Sequence, residues 1–389
     1  MIYFSLRSGG LKLIYFDNAA TTAPDKAVIS EAEDFLQNCF ANPSSVHSLG
    51  YEAEMRLEKA RKKVAAALGA DPKQLFFTSG GTEANNTAVL GAAEAKKRRG
   101  KRVITQVTEH PSVADAFNEL EKRGFEVIRV NVDKKGRVCE QELLSAVNEE
   151  TTLVSVMNIN NEFGTIQPVN ELAEKVKKIN PETIFHSDCV QAFGKHPINI
   201  KNLDLVTVSA HKIHALKGVG ALYVKKGTLI KPLHFGGGQE GAFRPGTENT
   251  VGIVAFGAAT ELAAKQMQEN FQKVTSVKNE LLKITQMLDN VWINGDQEGS
   301  PYILNLGFEG VKGEVLVHAL EDREIYCSTG SACSSRVKEK KKLADLLVDG
   351  TGSSALRIGI GKDNTEQQAR QLTEALCEIV PMLRKYRPR

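Results

Sequence analysis

Lys212 stands in the stretch LVTVSAHKIHALKGVGALYV, Leu205 to Val224. An apolar run there ends in Ser209, Ala210 and His211 just before the lysine, and a second apolar run follows Gly218 and Gly220. The pattern predicts a strand, a polar turn and a strand. A lysine held at the mouth of a sheet can be desolvated and lose its proton, which makes it a candidate Schiff-base amine. A solvated lysine closing a strand has the same local sequence, the reading given to Lys217, Lys225 and Lys226, so the assignment depends on what else converges on Lys212. Cys333 is a second chemical centre. It lies in TGSACSS, a small polar segment that reads as a loop, whereas Cys39 and Cys377 sit among apolar neighbours and read as packing. A free thiol with a pKa of about 8.5 is only a few per cent thiolate at neutral pH, so a reactive cysteine needs its pKa lowered or a base nearby.

The groups that could converge on Lys212 follow other apolar runs. Glu109 and His110 come after Val103 to Val107; Asn160, Asn161 and Glu162 come after Leu153 to Met157; His186, Ser187, Asp188 and Gln191 form another cluster. In an open parallel sheet, ligands sit beyond the carboxyl ends of the strands, where these groups would meet. The segment LFFTSGGTEANNTAVLGAA runs from the strand Leu75 to Phe77 through Gly80, Gly81 and Thr82 into a helix. Glycines at such a turn let backbone N–H groups aim at one spot, and the helix dipole favours an anion there.

Strand and helix patterns alternate from Leu75 to Val224, which predicts an α/β fold with a mostly parallel sheet flanked by helices. Before it, helices are expected from Pro24 to about Cys39, with Val28, Ala32, Phe35, Leu36 and Cys39 facing inward, and from Tyr51 to Leu68, stopped by Gly69. After it, a helix from Val251 to Met267 and a second, charged helix to about Met287 lead into a smaller α+β part. The expected division is a flexible lead-in at residues 1–11, a large domain over 12–268 whose first residues pack on the small domain, and a small domain over 269–389 that carries the Cys333 loop.

With 389 residues, the chain has enough material for two domains and a buried ligand. Fifty basic and 47 acidic side chains leave a formal charge of +3, which lacks the basic footprint of a nucleic-acid binder. Six cysteines without a C-x-x-C pair signal neither a zinc site nor a disulfide framework, and point to a reducing cytoplasm. The opening residues lack a signal-peptide core, and no run approaches the roughly 18 apolar residues of a membrane helix.

Nine strings, FDNAATT, TSGGTEANN, TEHPSV, NNEFGTIQP, SDCVQAFGK, SAHKIHALKGVGALYV, GGGQEGAFRPGTEN, STGSACSS and LRIGIG, occur in the order found in cysteine desulfurases. The chain resembles the NifS/IscS-like branch of that family, in the class V aminotransferase superfamily of fold-type I enzymes, from Tyr15 to its C-terminus. The resemblance implies a pyridoxal 5'-phosphate (PLP) enzyme in which Lys212 forms the Schiff base with the cofactor. Gly81, Thr82, Ser209 and His211 then match the phosphate-binding set. Asp188 matches the partner of the pyridine nitrogen, Gln191 the donor to the ring hydroxyl oxygen, and His110 the imidazole on the ring face. Asn161 and Arg357 match the groups that receive the substrate carboxylate. Thr247 matches the residue that reaches the phosphate of a partner subunit, which implies a homodimer.

The implied reaction converts L-cysteine to L-alanine and leaves a persulfide on Cys333. That sulfur passes to an acceptor protein for iron-sulfur clusters, tRNA thiolation or another thio-cofactor. No metal, nucleic acid or membrane partner is implied. Two alternatives remain from the sequence: a selenocysteine lyase or other PLP lyase or aminotransferase, and a weakly active paralogue serving sulfur relay or docking. The second is motivated by the missing arginine, one of several departures from the family pattern. Gly241 and Ala242 stand where arginine and glycine are usual, Ala215 and Leu216 where glycine and proline are usual, and Cys189 where alanine is usual.

Overall fold

The computed structural model describes residues 13–330, Leu347 and residues 354–385. The chain enters through β1 (Ile14–Tyr15) and then forms α1 (Lys26–Asn38) and α2 (Ser48–Leu68). Asp25 caps α1 by accepting from Ala27 N–H, and Gly69 ends α2 in the left-handed conformation. The alternating section follows as β2 (Leu75–Thr78), α3 (Gly81–Lys96), β3 (Arg102–Gln106), α4 (Pro111–Lys122), β4 (Glu126–Val130), α5 (Glu140–Ala146), β5 (Thr151–Ser155), α6 (Val169–Ile179), β6 (Ile184–Asp188), β7 (Leu205–Ser209) and β8 (Gly220–Val224).

These strands form one seven-stranded sheet in the order β2-β8-β7-β6-β5-β3-β4. β8 pairs antiparallel with both neighbours, and the remaining pairings are parallel. The mostly parallel α/β sheet expected from the sequence is therefore present. An apolar core with α1, α2 and α6 covers one face, built on Phe35, Leu57, Phe185 and Phe193. A second core with α3 and α4, built on Ala88, Phe117 and Leu120, covers the other. Covered faces explain why the strands read as unbroken apolar runs.

The rest of the chain forms α7 (Thr250–Leu282), α8 (Ile284–Met287), β9 (Val291–Ile293), β10 (Ile303–Phe308), α9 (Gly313–Glu321), β11 (Ile325–Tyr326), β12 (Ala355–Gly359) and α10 (Glu366–Lys385). Where the sequence predicts two helices between Val251 and Met287, α7 runs unbroken to Leu282, because no glycine or proline interrupts residues 258–282. Its first half, with Ile253, Phe256 and Ala259, packs into the large core, and its second half, with Val274, Val277 and Leu281, packs into a separate core. The division expected at residue 268 falls inside this helix. The separate core also takes Ile14, Phe16 and Ala19 from the start of the chain, and β1 pairs parallel with β11.

Among the described residues no helix is long and apolar enough to cross a membrane, and no cluster of side chains could hold a metal ion. Leu36, expected to face inward, is exposed. It shares the surface of the 29–55 segment with Phe40, which is 78% exposed, and with Val46, Tyr51 and Met55.

Candidate active site

The polar groups at the strand ends converge as the parallel topology requires. β7 delivers Ser209, and the following 3-10 turn carries Ala210, His211 and Lys212. Lys212 Nζ donates to the carbonyls of Ala19 at 2.6 Å and Ala20 at 2.7 Å. The lysine thus lies against the segment that leaves the small core, and it lines a cavity of about 260 Å³. Gly81, Thr82, His110, Asn161, Asp188, Gln191, Ser209, His211 and Arg357 line the same cavity, together with Asn85.

The cavity has a wall that suits an anion. Gly80 sits at φ 153° and ψ −177°, a conformation essentially restricted to glycine, and turns the chain from β2 into α3. A Cβ on Gly220 of β8 would lie 2.8 Å from Gly80 Cα, so β8 can run this close to the turn only with glycine there. No side chain caps the N-terminus of α3. Ser209 Oγ, from the neighbouring strand end, is buried without a hydrogen-bond partner. Unpaired helix N–H groups and an idle hydroxyl are what a phosphate-sized anion would satisfy.

Asp188 is a buried carboxylate with fixed orientation. Its Oδ1 accepts from Val190 N–H at 2.9 Å and its Oδ2 from Asn85 Nδ2 at 2.7 Å. The same Asn85 amide donates to Ser112 Oγ at 2.9 Å, and Ser112 Oγ lies 2.7 Å from His110 Nδ1. His110 also caps α4, with Nδ1 accepting from Ser112 N–H at 3.1 Å. Since Nδ1 is an acceptor, the neutral ring carries its proton on Nε2. Burial lowers the His110 pKa, partly offset by the charge of Asp188, so the neutral ring prevails. Burial also brings His211 down to about 4, aided by the charges of Lys212, Lys217 and Lys195.

Arg357 enters from β12 of the small sheet and is only 2% exposed. It donates from Nη1 to the Asn161 carbonyl at 3.2 Å and from Nη2 to Asp17 Oδ1 at 2.9 Å, while its buried Nε has no partner. The two residues expected to receive a substrate carboxylate are thus in contact, with one guanidinium nitrogen, Nε, left without a partner.

Other strand-end groups turn away from the cavity. His186 is buried in the sheet between Ser155 Oγ and Thr207 Oγ1, and Ser187 Oγ donates to Val156 O. Asn160 braces its own turn by accepting from Glu162 and Phe163 N–H. Glu109 accepts from Met157 N–H at 2.6 Å, and burial beside Asp188 pushes its pKa up to about 8, so it adds no second negative charge at neutral pH. Thr247 lies outside the cavity of its own chain, in a recess of about 200 Å³ with Thr78, Ser79 and Arg244. Cys333 lies outside the described residues.

Asn85 was not singled out from the sequence. The one signal for it is its place one helical turn beyond Gly81, on a helix that starts at the cavity.

The profile of the family described as "Aminotransferase class-V" matches residues 14–372. A Lactobacillus delbrueckii subsp. bulgaricus protein named "NifS/IcsS protein homolog" is 41% identical, the alignment covering 94% of this chain and 97% of that protein. A Clostridium botulinum protein named "Cysteine desulfurase IscS" is 40% identical over 97% of this chain and 96% of its own length. Among solved structures, one titled "NIFS-LIKE PROTEIN" superposes with a TM-score of 0.90 at 37% identity, covering 95% of this chain and all of that one.

Proposed function

The chain belongs to the aminotransferase class-V family and by that kinship is a PLP-dependent cysteine desulfurase, and we propose that the residues around its cavity divide the work as follows. One observation carries the reading: Lys212 shares a single cavity with an oriented Asp188, a neutral His110 and an uncapped helix N-terminus. The residues present fit the cofactor. The α3 N-terminus, Gly81, Thr82 and the idle Ser209 hydroxyl suit its phosphate, Asp188 its pyridine nitrogen, Gln191 its ring hydroxyl, and Lys212 its aldehyde carbon. When bound, PLP supplies a ring that withdraws electrons from the substrate carbon losing its proton.

Lys212 would hold the cofactor and would take the substrate Cα proton at Nζ; the Ala19 and Ala20 carbonyls orient that nitrogen. His110 would lie beside the bound cofactor and presents its proton at Nε2. Arg357 binds the cysteine carboxylate through its unpaired Nε, with Asn161 beside it. Because lysine is a point charge without the planar fork, Arg357→Lys is expected to raise KM for cysteine about tenfold while changing kcat less. Steady-state kinetics measure this, and an unchanged KM would remove Arg357 from substrate binding.

From the sequence resemblance we assign Cys333 as the nucleophile that takes the substrate sulfur. The sulfur then passes to an acceptor protein of iron-sulfur cluster or thio-cofactor synthesis. A homodimer is supported by the exposed apolar surface around Phe40, Val46 and Tyr51, and by the recess that holds Thr247 away from its own chain's cavity. The unpaired cysteine spacing fits work in the cytoplasm.

The test is to load the protein with PLP and add L-cysteine. A visible absorption band, stoichiometric alanine and one added sulfur atom on the Cys333 peptide in mass spectra are expected. Absence of the band sinks the cofactor reading, and alanine without sulfur on Cys333 sinks the nucleophile.

A further inference from the structure

Lys195 has no place in the chemistry described so far, yet it is buried. It lies in the loop after β6 with 8% of its surface exposed, and among the described residues no carboxylate pairs with it. A lone buried ammonium is costly, so its surroundings should show what keeps it there. Its Nζ donates to Gln191 Oε1 at 3.3 Å and lies 5.6 Å from the ring centre of Tyr302, in the segment leading into β10. Gln191 Nε2 in turn donates to Ala19 O at 3.0 Å, the same carbonyl that accepts from Lys212 Nζ. A chain of hydrogen bonds therefore runs from Lys195 through the Gln191 amide to the carbonyl that orients the reactive amine.

We propose that Lys195 is a positioning residue for the desulfurase reaction, fixing and polarising the Gln191 amide so that Nε2 rather than Oε1 is presented to the cofactor cavity. The inference rests on the role given to Gln191 above. An unconstrained glutamine amide can turn over, exchanging donor for acceptor. With an ammonium on Oε1 and the Ala19 carbonyl on one Nε2 hydrogen, only one orientation is satisfied, and the second Nε2 hydrogen remains for the ring hydroxyl oxygen. The cation also draws electron density through the amide, which strengthens the outgoing bond. The titratable groups around Lys195 are Lys212, His196, His211, His214 and Tyr302. Burial and the charge of Lys212 bring Lys195 down to about 7, so it is partly charged in the neutral range before a cofactor anion is present.

The test uses full-length protein loaded with PLP and no cysteine. The visible absorption band is titrated with pH, and cofactor affinity is measured by fluorescence. Wild type is compared with Lys195→Met, Lys195→Arg, Gln191→Leu and the Lys195→Met/Gln191→Leu double variant. Methionine fills similar volume without the buried charge, and a thermal melt checks that the fold is retained. Lys195→Met is expected to move the spectral midpoint up by about one pH unit and to weaken PLP binding about tenfold. Lys195→Arg should restore most of both. The double variant should match Gln191→Leu alone, because Lys195 acts through that amide. A Lys195→Met midpoint equal to wild type overturns the proposal, and so does a double variant whose shift is the sum of the two single shifts. If wild type loads PLP but Gln191→Leu titrates like it, the Gln191 role and this inference both fail while the enzyme assignment stands. If wild type takes up no cofactor, the enzyme assignment itself fails.

Discussion

Lys212→Ala is expected to abolish alanine formation from cysteine, with kcat at least about 10⁴-fold below wild type. In the role proposed for Lys212, the variant loses both the amine that would hold the cofactor and the base for the Cα proton. It also leaves the Ala19 and Ala20 carbonyls, which accept from Nζ at 2.6 and 2.7 Å, without that donor. Those carbonyls belong to the segment that leaves the small core, so the loss also loosens a tie between that segment and the end of β7. Added primary amines should recover a small part of the rate, because the cavity vacated by the side chain can admit a replacement base. Measuring alanine by coupled assay, with and without methylamine, checks the expectation. An alanine variant retaining a tenth of wild-type kcat would show that another group removes the proton.

The second large effect is expected at Asp188. Asp188→Ala should lower kcat about 10³-fold with a smaller change in KM, because in the role proposed for it the buried carboxylate would face the cofactor's ring nitrogen and would act most strongly when negative charge flows into the ring. The carboxylate is held by Val190 N–H and Asn85 Nδ2 and is therefore set before substrate arrives. Its removal also deprives Asn85 of the acceptor that fixes its amide, so the link through Ser112 to His110 should slacken. Asp188→Asn keeps the size but not the charge, and should lose nearly as much activity as alanine. Kinetics of both variants, with their absorption spectra, separate charge from packing. A loss of less than tenfold in Asp188→Asn would reduce Asp188 to a hydrogen-bonding role.

The site was legible where its chemistry follows an apolar run. Lys212 and His110 come just beyond buried strands, Asp188 is the last residue of one, and the Gly81–Thr82 turn announces itself by glycines between strand and helix. A period-2 or apolar pattern tells which way an element ends, and parallel topology then brings those ends together. Residues that act from the side of an element had no such signal. Asn85 looks like an ordinary helix amide until α3 is placed against β6, and Lys195 looks like a solvated loop lysine until Tyr302 is packed over it. The carbonyls of Ala19 and Ala20 were invisible for a different reason: backbone acceptors leave no trace in residue type. Helical spacing put Leu36 in the core, but that side of α1 faces outward.

The pairing of β1 with β11 sets a timetable for the molecule's birth. Ile14 and Ile325 are partners about 310 residues apart, so β1 completes its sheet only after those intervening residues have been made. At bacterial or eukaryotic synthesis speeds that is a wait of roughly 15 to 60 s. During it the large sheet can form without help from the end of the chain, while Ile14 and Phe16 remain unsheltered. The small core therefore closes after the large one, and with it comes Arg357, so a nascent chain can shape the pocket around Lys212 well before the guanidinium proposed for the substrate carboxylate arrives.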